Sequence, residues 1–280
     1  MKKIIFFITI VSHIYMETIV LGSFNSLHLG WEGKNYTETA KILSLFDIVA
    51  LQEVMKKEGI IALVTELEKV SKEKWSYHLS PYPVGNDSKY NEYYCFIYKK
   101  EKVNFFESLG FYKEAKNEFI REPYGAMFKS GKFDFILVNN HLLYGDEKSD
   151  RQNEAKELGK VYDYFQNLDS KEQDIIILGD FNLPAYDSSF QNLFKHKDEI
   201  YYAIDPKYKT TIGKKSLANS YDNIFYSYKY TKEYTGNNGT YDYTDDFKNI
   251  YGDKRFEVLR KTISDHIPVF VEFNIDKDDD

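Results

Sequence analysis

Ser264-Asp265-His266-Ile267-Pro268 runs directly into Val269-Phe270-Val271-Glu272-Phe273. The second half is an apolar run of strand length. The first half places an acid and an imidazole at the mouth of that strand. A Ser-Asp-His run can be no more than a capped turn, but an Asp-His pair leading straight into a core strand is less common. The arrangement recurs upstream. Val49-Ala50-Leu51-Gln52 ends on Glu53, and Ile175-Ile176-Ile177-Leu178 is followed by Gly179-Asp180-Phe181-Asn182. Asn25 follows a first apolar strand over 19–24, and Tyr221-Asp222 precedes Asn223-Ile224-Phe225-Tyr226. A sheet can bring the ends of several strands to one edge, so these side chains are expected to converge on one cleft. Taken singly, each has a plainer reading. An acid after a strand is often a turn or helix cap, and Gly179 also fits a simple turn.

The donor types narrow the chemistry. Carboxylates and amides recur, with no cysteine among them and no His-Glu-x-x-His pair. That set suits a hard cation, Mg²⁺, Mn²⁺ or Ca²⁺, rather than a structural zinc.

Helical spacing appears at Thr39, Ile42, Leu43 and Phe46, and again at Ile60, Leu63, Val64, Leu67 and Val70. Residues 75–79 and 93–98 read as strands. Residues 124–128 and 133–139 read as a hairpin turned by Ser130-Gly131. Ser149 and Gln152 make a capping-box signature for a helix with Ala155, Leu158, Tyr162 and Phe165 on one face. Strands outnumber helices. The expected fold is therefore α/β (α+β), a four-layer sandwich of two packed mixed sheets with helices outside. One catalytic domain is expected over 17–275, with 276–280 as an acidic tail.

Lys2 and Lys3 precede an apolar run over 4–11. This is a basic region and a short hydrophobic region, too short for the roughly 20 residues that span a bilayer. Residues 1–16 read as a secretory signal peptide, which implies a secreted or periplasmic protein; an ordinary N-terminal strand is the alternative.

The chain has 280 residues, 42% of them hydrophobic, so a sizeable core is attainable. Its net charge of −7 argues against a passive nucleic-acid binder, which usually carries a basic face. It does not argue against a nuclease, because clustered carboxylates with bound cations reverse the local field. The single cysteine, Cys95, excludes an intrachain disulfide and sits in an apolar strand as a small hydrophobe.

Residues 49–54, Gly179-Asp180-Phe181-Asn182, Tyr221-Asp222 and Ile263-Ser264-Asp265-His266-Ile267-Pro268-Val269 resemble, in order, the motifs of the endonuclease/exonuclease/phosphatase family. Arg121-Glu122-Pro123 and Tyr90-Asn91-Glu92, ahead of Tyr94-Cys95-Phe96, resemble its deoxyribonuclease I branch. The resemblance implies a deoxyribonuclease I-like fold and a role for each position. Glu53 would be the main metal ligand, helped by Asn25 and Asp265. Asp180 and Asn182 would serve a second metal position or the scissile phosphate. His266 would be oriented by Asp222, and His141 by Glu92. Arg121, Tyr90 and Tyr221 would contact phosphate. His28, His78 and His196 have no carboxylate partner that can be placed, and read as surface or packing residues.

Two departures stand out, the first being that the single Cys95 leaves none of the family's stabilising disulfides. Deoxyribonuclease I carries arginines that enter the minor groove where this chain has Leu27 and Met55. The stretch 207–221, with Lys207, Lys209, Thr210, Thr211, Lys214, Lys215 and Ser220, could follow a phosphate backbone or be a solvated loop. The expected activity is sequence-nonspecific endonucleolytic hydrolysis of DNA by a monomer with no stable membrane association. The alternatives are a phosphatase or a phospholipase C/sphingomyelinase-like enzyme of the same fold, or the nuclease subunit of a genotoxin-like assembly.

Overall fold

The computed structural model describes residues 16–169 and 171–278. The expected signal peptide lies almost wholly outside the described residues. Twelve strands are present among those described: β1 (Thr18–Leu29), β2 (Ile48–Val54), β3 (Trp75–Leu79), β4 (Tyr93–Lys99), β5 (Asn104–Phe111), β6 (Tyr124–Ser130), β7 (Phe133–His141), β8 (Ile175–Asp180), β9 (Ile200–Tyr202), β10 (Asp222–Ser227), β11 (Tyr234–Thr240) and β12 (Val269–Asn274). They form two mixed six-stranded sheets, ordered β11-β12-β1-β2-β4-β3 and β5-β6-β7-β8-β10-β9. The longer helices are α1 (Tyr36–Leu43), α2 (Lys57–Ser71) and α3 (Lys148–Gln166), with a further helix over Arg255–Thr262.

Three apolar layers explain the stacking. Ile48 and Ala50 of β2 face Phe128, Phe135, Ile176 and Leu178 of the other sheet. Val49 and Leu51, one residue out of phase, face Leu43, Ile60 and Leu63 of α1 and α2. Ile175 and Ile177 of β8 likewise pack on Leu158, Tyr162 and Phe165 of α3. Both faces of the central strands are covered, which is why they read as unbroken apolar runs rather than alternating ones. A fully buried side chain of this size stabilises by about 1.5–3 kcal/mol. Cys95 is buried in the α1/α2 layer, and burial pushes its thiol well above the usual range.

The alternation that builds the core also builds the site. In β7 the inward residues are Phe133, Phe135 and Leu137, and the same phase continues through Asn139 to His141. In β8 it carries Ile176 and Leu178 to Asp180. Parallel pairing of β7 with β8 sets His141 beside Asp180, and antiparallel pairing of β10 sets Asp222 opposite Asp180. Between core and site lies a polar layer. Gln52 donates to Asn139 Oδ1 at 2.7 Å and to Ser23 Oγ at 3.2 Å, joining the two sheets. Gly179 has no room for a side chain, because a Cβ there would lie 1.7 Å from the Asn140 carbonyl oxygen.

Some expectations need adjustment. The capping box of α3 forms two residues earlier than Ser149 and Gln152. Glu147 is the N-cap, and its backbone N–H donates to the Asp150 carboxylate at 3.0 Å. A carboxylate at the third position closes the box as well as an amide does. The first strand runs five residues past Phe24, to Leu29. Strand β11 lacks an apolar signal because it is a sheet edge with a largely solvated face. At the end of the chain, Asp276 accepts the Glu17 backbone N–H at 2.9 Å.

Candidate active site

One cleft of about 550 Å³ opens at the polar end of the sandwich, lined among others by Glu53, Tyr90, Glu92, Arg121, His141, Asp180, Asn182, Tyr221, Asp265 and His266. Asn25 and Asp222 lie just behind its wall, 1% and 0% exposed. The fold thus gathers the whole expected set.

The two histidines are held in the same way. His141 Nδ1 is 2.7 Å from Glu92 Oε1, and His266 Nδ1 is 2.8 Å from Asp222 Oδ2. Their Nε2 atoms turn toward a single oxygen, Asp180 Oδ2, at 3.6 and 3.5 Å. A carboxylate at Nδ1 fixes the orientation of the ring and leaves Nε2 to meet a substrate. Burial and Arg121 push the His141 imidazolium down, but Glu92 and Asp180 outweigh them and the net direction is up. Burial likewise opposes charge on His266, yet Asp222 and Asp180 hold it well above the ordinary histidine range. Burial pushes Asp222 up to about 6 despite His266. Burial also opposes charge on Asp180, but the two histidines bring its carboxyl below the usual value.

Glu53 reaches the cleft through its backbone. Strand phase would put it with Val49 and Leu51 on the outer face. Instead it adopts φ of 57°, at a break in register between β2 and β4. Such a break re-aims a side chain. Its backbone N–H donates to Glu92 Oε2 at 2.8 Å, and its carboxylate accepts from Asn25 Nδ2 at 3.0 Å. Asn25 Nδ2 also reaches Asp180 Oδ2 at 3.1 Å, while its Oδ1 takes the Leu27 N–H. Leu27 and His28 are left-handed too, at φ of 40° and 53°. Asn182, at φ of 50°, spends its amide nitrogen on the Leu142 carbonyl at 2.8 Å.

Arg121 is deeply built in. Its Nε donates to the His141 carbonyl at 3.0 Å and lies 3.2 Å from Glu92 Oε1, and Nη2 donates to the Leu142 carbonyl at 3.1 Å. Nη1 and the second proton of Nη2 are what it can still offer a phosphate. Tyr90 is 45% exposed at the rim, with its ring 5.9 Å from those of His28 and Trp31.

Two histidines depart from expectation. His28 does have a carboxylate partner, with Nε2 3.3 Å from Glu53 Oε2 and its backbone N–H on the same oxygen at 3.1 Å. His196 also has one, 2.9 Å from Asp163. His78 meets the Tyr124 hydroxyl at 2.7 Å. The partners Glu53, Asp163 and Tyr124 are each at least 25 residues away, which sequence spacing does not show, whereas Asp198, 3.5 Å from the other ring nitrogen of His196, is only two residues on.

Lys34 was not anticipated either. Its ammonium donates to the carbonyls of Ser26, Leu27 and Ile263, tying the bend of β1 to the loop before His266. Burial pulls its pKa down to about 8, against the pull of Glu53 and Asp265. Tyr94 is a third addition, with its hydroxyl accepting the His141 N–H at 3.1 Å.

Asp180, Asp222 and His266 bring donor atoms within 4.8 Å of one another, a buried group that can hold a metal ion. Glu53, Asp265 and the amide of Asn182 add oxygen donors to the same cleft. This donor set fits a hard divalent cation.

A sandwich that converges two carboxylate-held imidazoles and several acids on one cleft defines a class of phosphoester hydrolase. No family model matches the chain. It is 30% identical over 260 residues to a protein named deoxyribonuclease from Thioalkalivibrio sp. (strain K90mix), covering 90% of this chain and 70% of that protein. It is 29% identical over 153 residues to deoxyribonuclease-1 of Sus scrofa, covering 51% of each. Among solved structures, the human Nocturnin catalytic domain superposes with a TM-score of 0.64 at 17% identity, covering 92% of this chain and 94% of that one. A mannosyl-6-phosphatase of Bacteroides thetaiotaomicron superposes with a TM-score of 0.58 at 18% identity, covering 90% and 98%. The chain belongs to the endonuclease/exonuclease/phosphatase family. It is a hydrolase of that family with the deoxyribonuclease I-like fold. Among the described residues, no helix is long and apolar enough to cross a membrane.

Proposed function

We propose that this chain is a secreted, sequence-nonspecific endonuclease that hydrolyses DNA with a bound Mg²⁺ or Mn²⁺, Ca²⁺ being a further choice. The observation that carries the reading is the convergence of two imidazoles, each fixed by a buried carboxylate, on one oxygen of Asp180. Phosphodiester hydrolysis needs a proton removed from the attacking water and one supplied to the leaving oxygen. His141 and His266 stand on either side of one point and can divide these tasks. Water attacks phosphorus in line, one imidazole takes its proton, the P–O bond to the leaving oxygen breaks, and the other imidazole protonates that oxygen. Glu53 and Asp265, with Asp180, Asn182 and Asn25 beside them, would hold the cation, leaving the Asp222–His266 pair to move protons. A divalent cation bound there supplies charge neutralisation on the phosphoryl oxygens and an acidified water. Arg121 would add a charged donor beside His141.

The choice of DNA is supported by the relatives named deoxyribonuclease. The test is digestion of plasmid and linear duplex with and without chelator. We expect cleavage in Mg²⁺ or Mn²⁺, none in excess EDTA, and none by the His141→Ala/His266→Ala double variant. Full cleavage in EDTA would end the metal reading. Efficient turnover of sugar phosphates or phospholipids, with DNA untouched, would end the nuclease reading.

A further inference from the structure

Beside the catalytic cleft lies a second hollow of about 260 Å³, which shares Asn182, Asn219 and Tyr221 with it. The rest of its wall includes Lys148, Arg151, Lys209 and Ser220, and no carboxylate among the described residues. In a chain of net charge −7 this is a local reversal of sign.

Two residues of its wall also carry unmatched donors. Ser220 is 4% exposed and its buried hydroxyl has no hydrogen-bond partner. The buried Nε of Arg151 has none either. The complement of buried donors without acceptors is an acceptor-rich ligand, and beside cations that ligand is an anion. Arg151 is already oriented, because Nη1 donates to the Tyr144 carbonyl at 2.7 Å and the guanidinium lies 4.2 Å over the Tyr144 ring. Lys148 is partly neutralised by Asp187 at 2.7 Å. Arg151 and Lys209 have no carboxylate within ion-pair distance among the described residues.

We propose that this hollow is a subsite for the phosphate next to the scissile one on a polynucleotide strand. The proposal rests on the phosphodiesterase reading of the cleft and deepens it. Because the two cavities share Asn182 and Tyr221, a strand with its reacting phosphate in the cleft carries its neighbour into the hollow. A small diester or a sugar phosphate has no second phosphate to place there. The subsite therefore selects polymer over monomer and contacts the backbone, which carries no base information.

The test compares thymidylyl-thymidine, which has one phosphodiester and no neighbour, with the same dinucleotide carrying a terminal phosphate on its 5′ or its 3′ end. In Mg²⁺ we expect one phosphorylated form to exceed the parent at least tenfold in kcat/KM. An Arg151→Ala/Lys209→Ala variant should erase that preference and change turnover of the parent by less than about threefold. Lys209→Ala alone removes an exposed side chain and should give part of the effect in a fully folded protein. A preference that survives in the variant, or equal losses on all three substrates, overturns the subsite. Absence of hydrolysis of any of them by the wild type overturns the phosphodiesterase reading instead. A binding arm separates the two. With labelled oligothymidylate in EDTA, the slope of log affinity against log salt should fall by about 0.7 for each cation removed. An unchanged slope overturns the subsite whatever the catalytic result.

Discussion

His141 with Glu92 and His266 with Asp222 are alike in geometry and opposite in construction. In the first pair the histidine ends β7 of one sheet, and the acid precedes β4 of the other. In the second the histidine precedes β12, and the acid opens β10 of the sheet that carries His141. Each pair therefore crosses the boundary between the sheets, in opposite directions, and the two meet at Asp180. They also differ in what else they hold. Glu92 binds the His141 ring and Arg121 with one oxygen and the Glu53 backbone with the other. Asp222 serves His266. One half is a junction that positions a metal-ligand candidate and a cation, and the other is a simpler carboxylate–imidazole pair.

The largest expected effects test whether the halves divide the chemistry. His141→Ala and His266→Ala should each lower kcat on DNA by about 10²- to 10⁴-fold, the usual range for one acid–base group. On bis(p-nitrophenyl) phosphate, whose leaving group needs no proton, only the variant lacking the acid should recover. Equal recovery of both variants would break the division of labour.

The next effect tests the junction. Glu92→Gln leaves Arg121 buried without its carboxylate, and a guanidinium cannot shed its charge to escape. Removing one partner of such a pair costs about 3–5 kcal/mol. Asp222→Asn leaves only a histidine, which can become neutral, so its cost should be clearly smaller. Urea unfolding of both variants decides this, and a larger loss for Asp222→Asn would reverse the comparison. Glu92→Gln should also weaken activation by Mg²⁺, because Glu92 anchors the backbone of Glu53, whereas Asp222→Asn should lower kcat with less change in the Mg²⁺ requirement.

The smallest effect comes from a carboxylate outside both halves and sets the baseline. Burial opposes charge on Asp187, but Lys148, the Ser189 backbone N–H and hydroxyl, and Gln152 hold its carboxyl down to about 2. A depressed folded-state value gives stability that is present above the unfolded value near 3.8 and lost as pH falls through about 2. Asp187→Asn should cost about 1–2 kcal/mol at pH 7 and flatten the acid limb of stability between those values. An unchanged acid limb would show that the pairing contributes nothing in solution.

Much of this was legible in the chain itself. Buried central strands read as apolar runs because both faces are covered, and the acids stood out because they interrupt those runs at one end. The hairpin at Ser130-Gly131 and the buried face of α3 were equally plain, since turn chemistry and helical period are local. Edge strands such as Tyr234–Thr240 were not, because a strand that buries little carries no apolar period. The pairing of His28 with Glu53 was hidden for a different reason. It depends on left-handed backbone at Leu27, His28 and Glu53, and neither leucine nor glutamate has a local preference for it.

The sequence by itself determined the Ser264-Asp265-His266 mouth of the last strand, the hard-cation donor set and the placing of Glu53, Asp180 and Asp222 at the ends of strands. Those follow from residue type and strand period, which are properties of short segments. Tertiary structure alone decided that each imidazole takes its carboxylate from the opposite sheet, that Glu53 turns against its strand's phase, and that Arg151, Lys209 and Ser220 share one hollow. These depend on register between strands and on loops packed from distant parts of the chain, which no local pattern encodes.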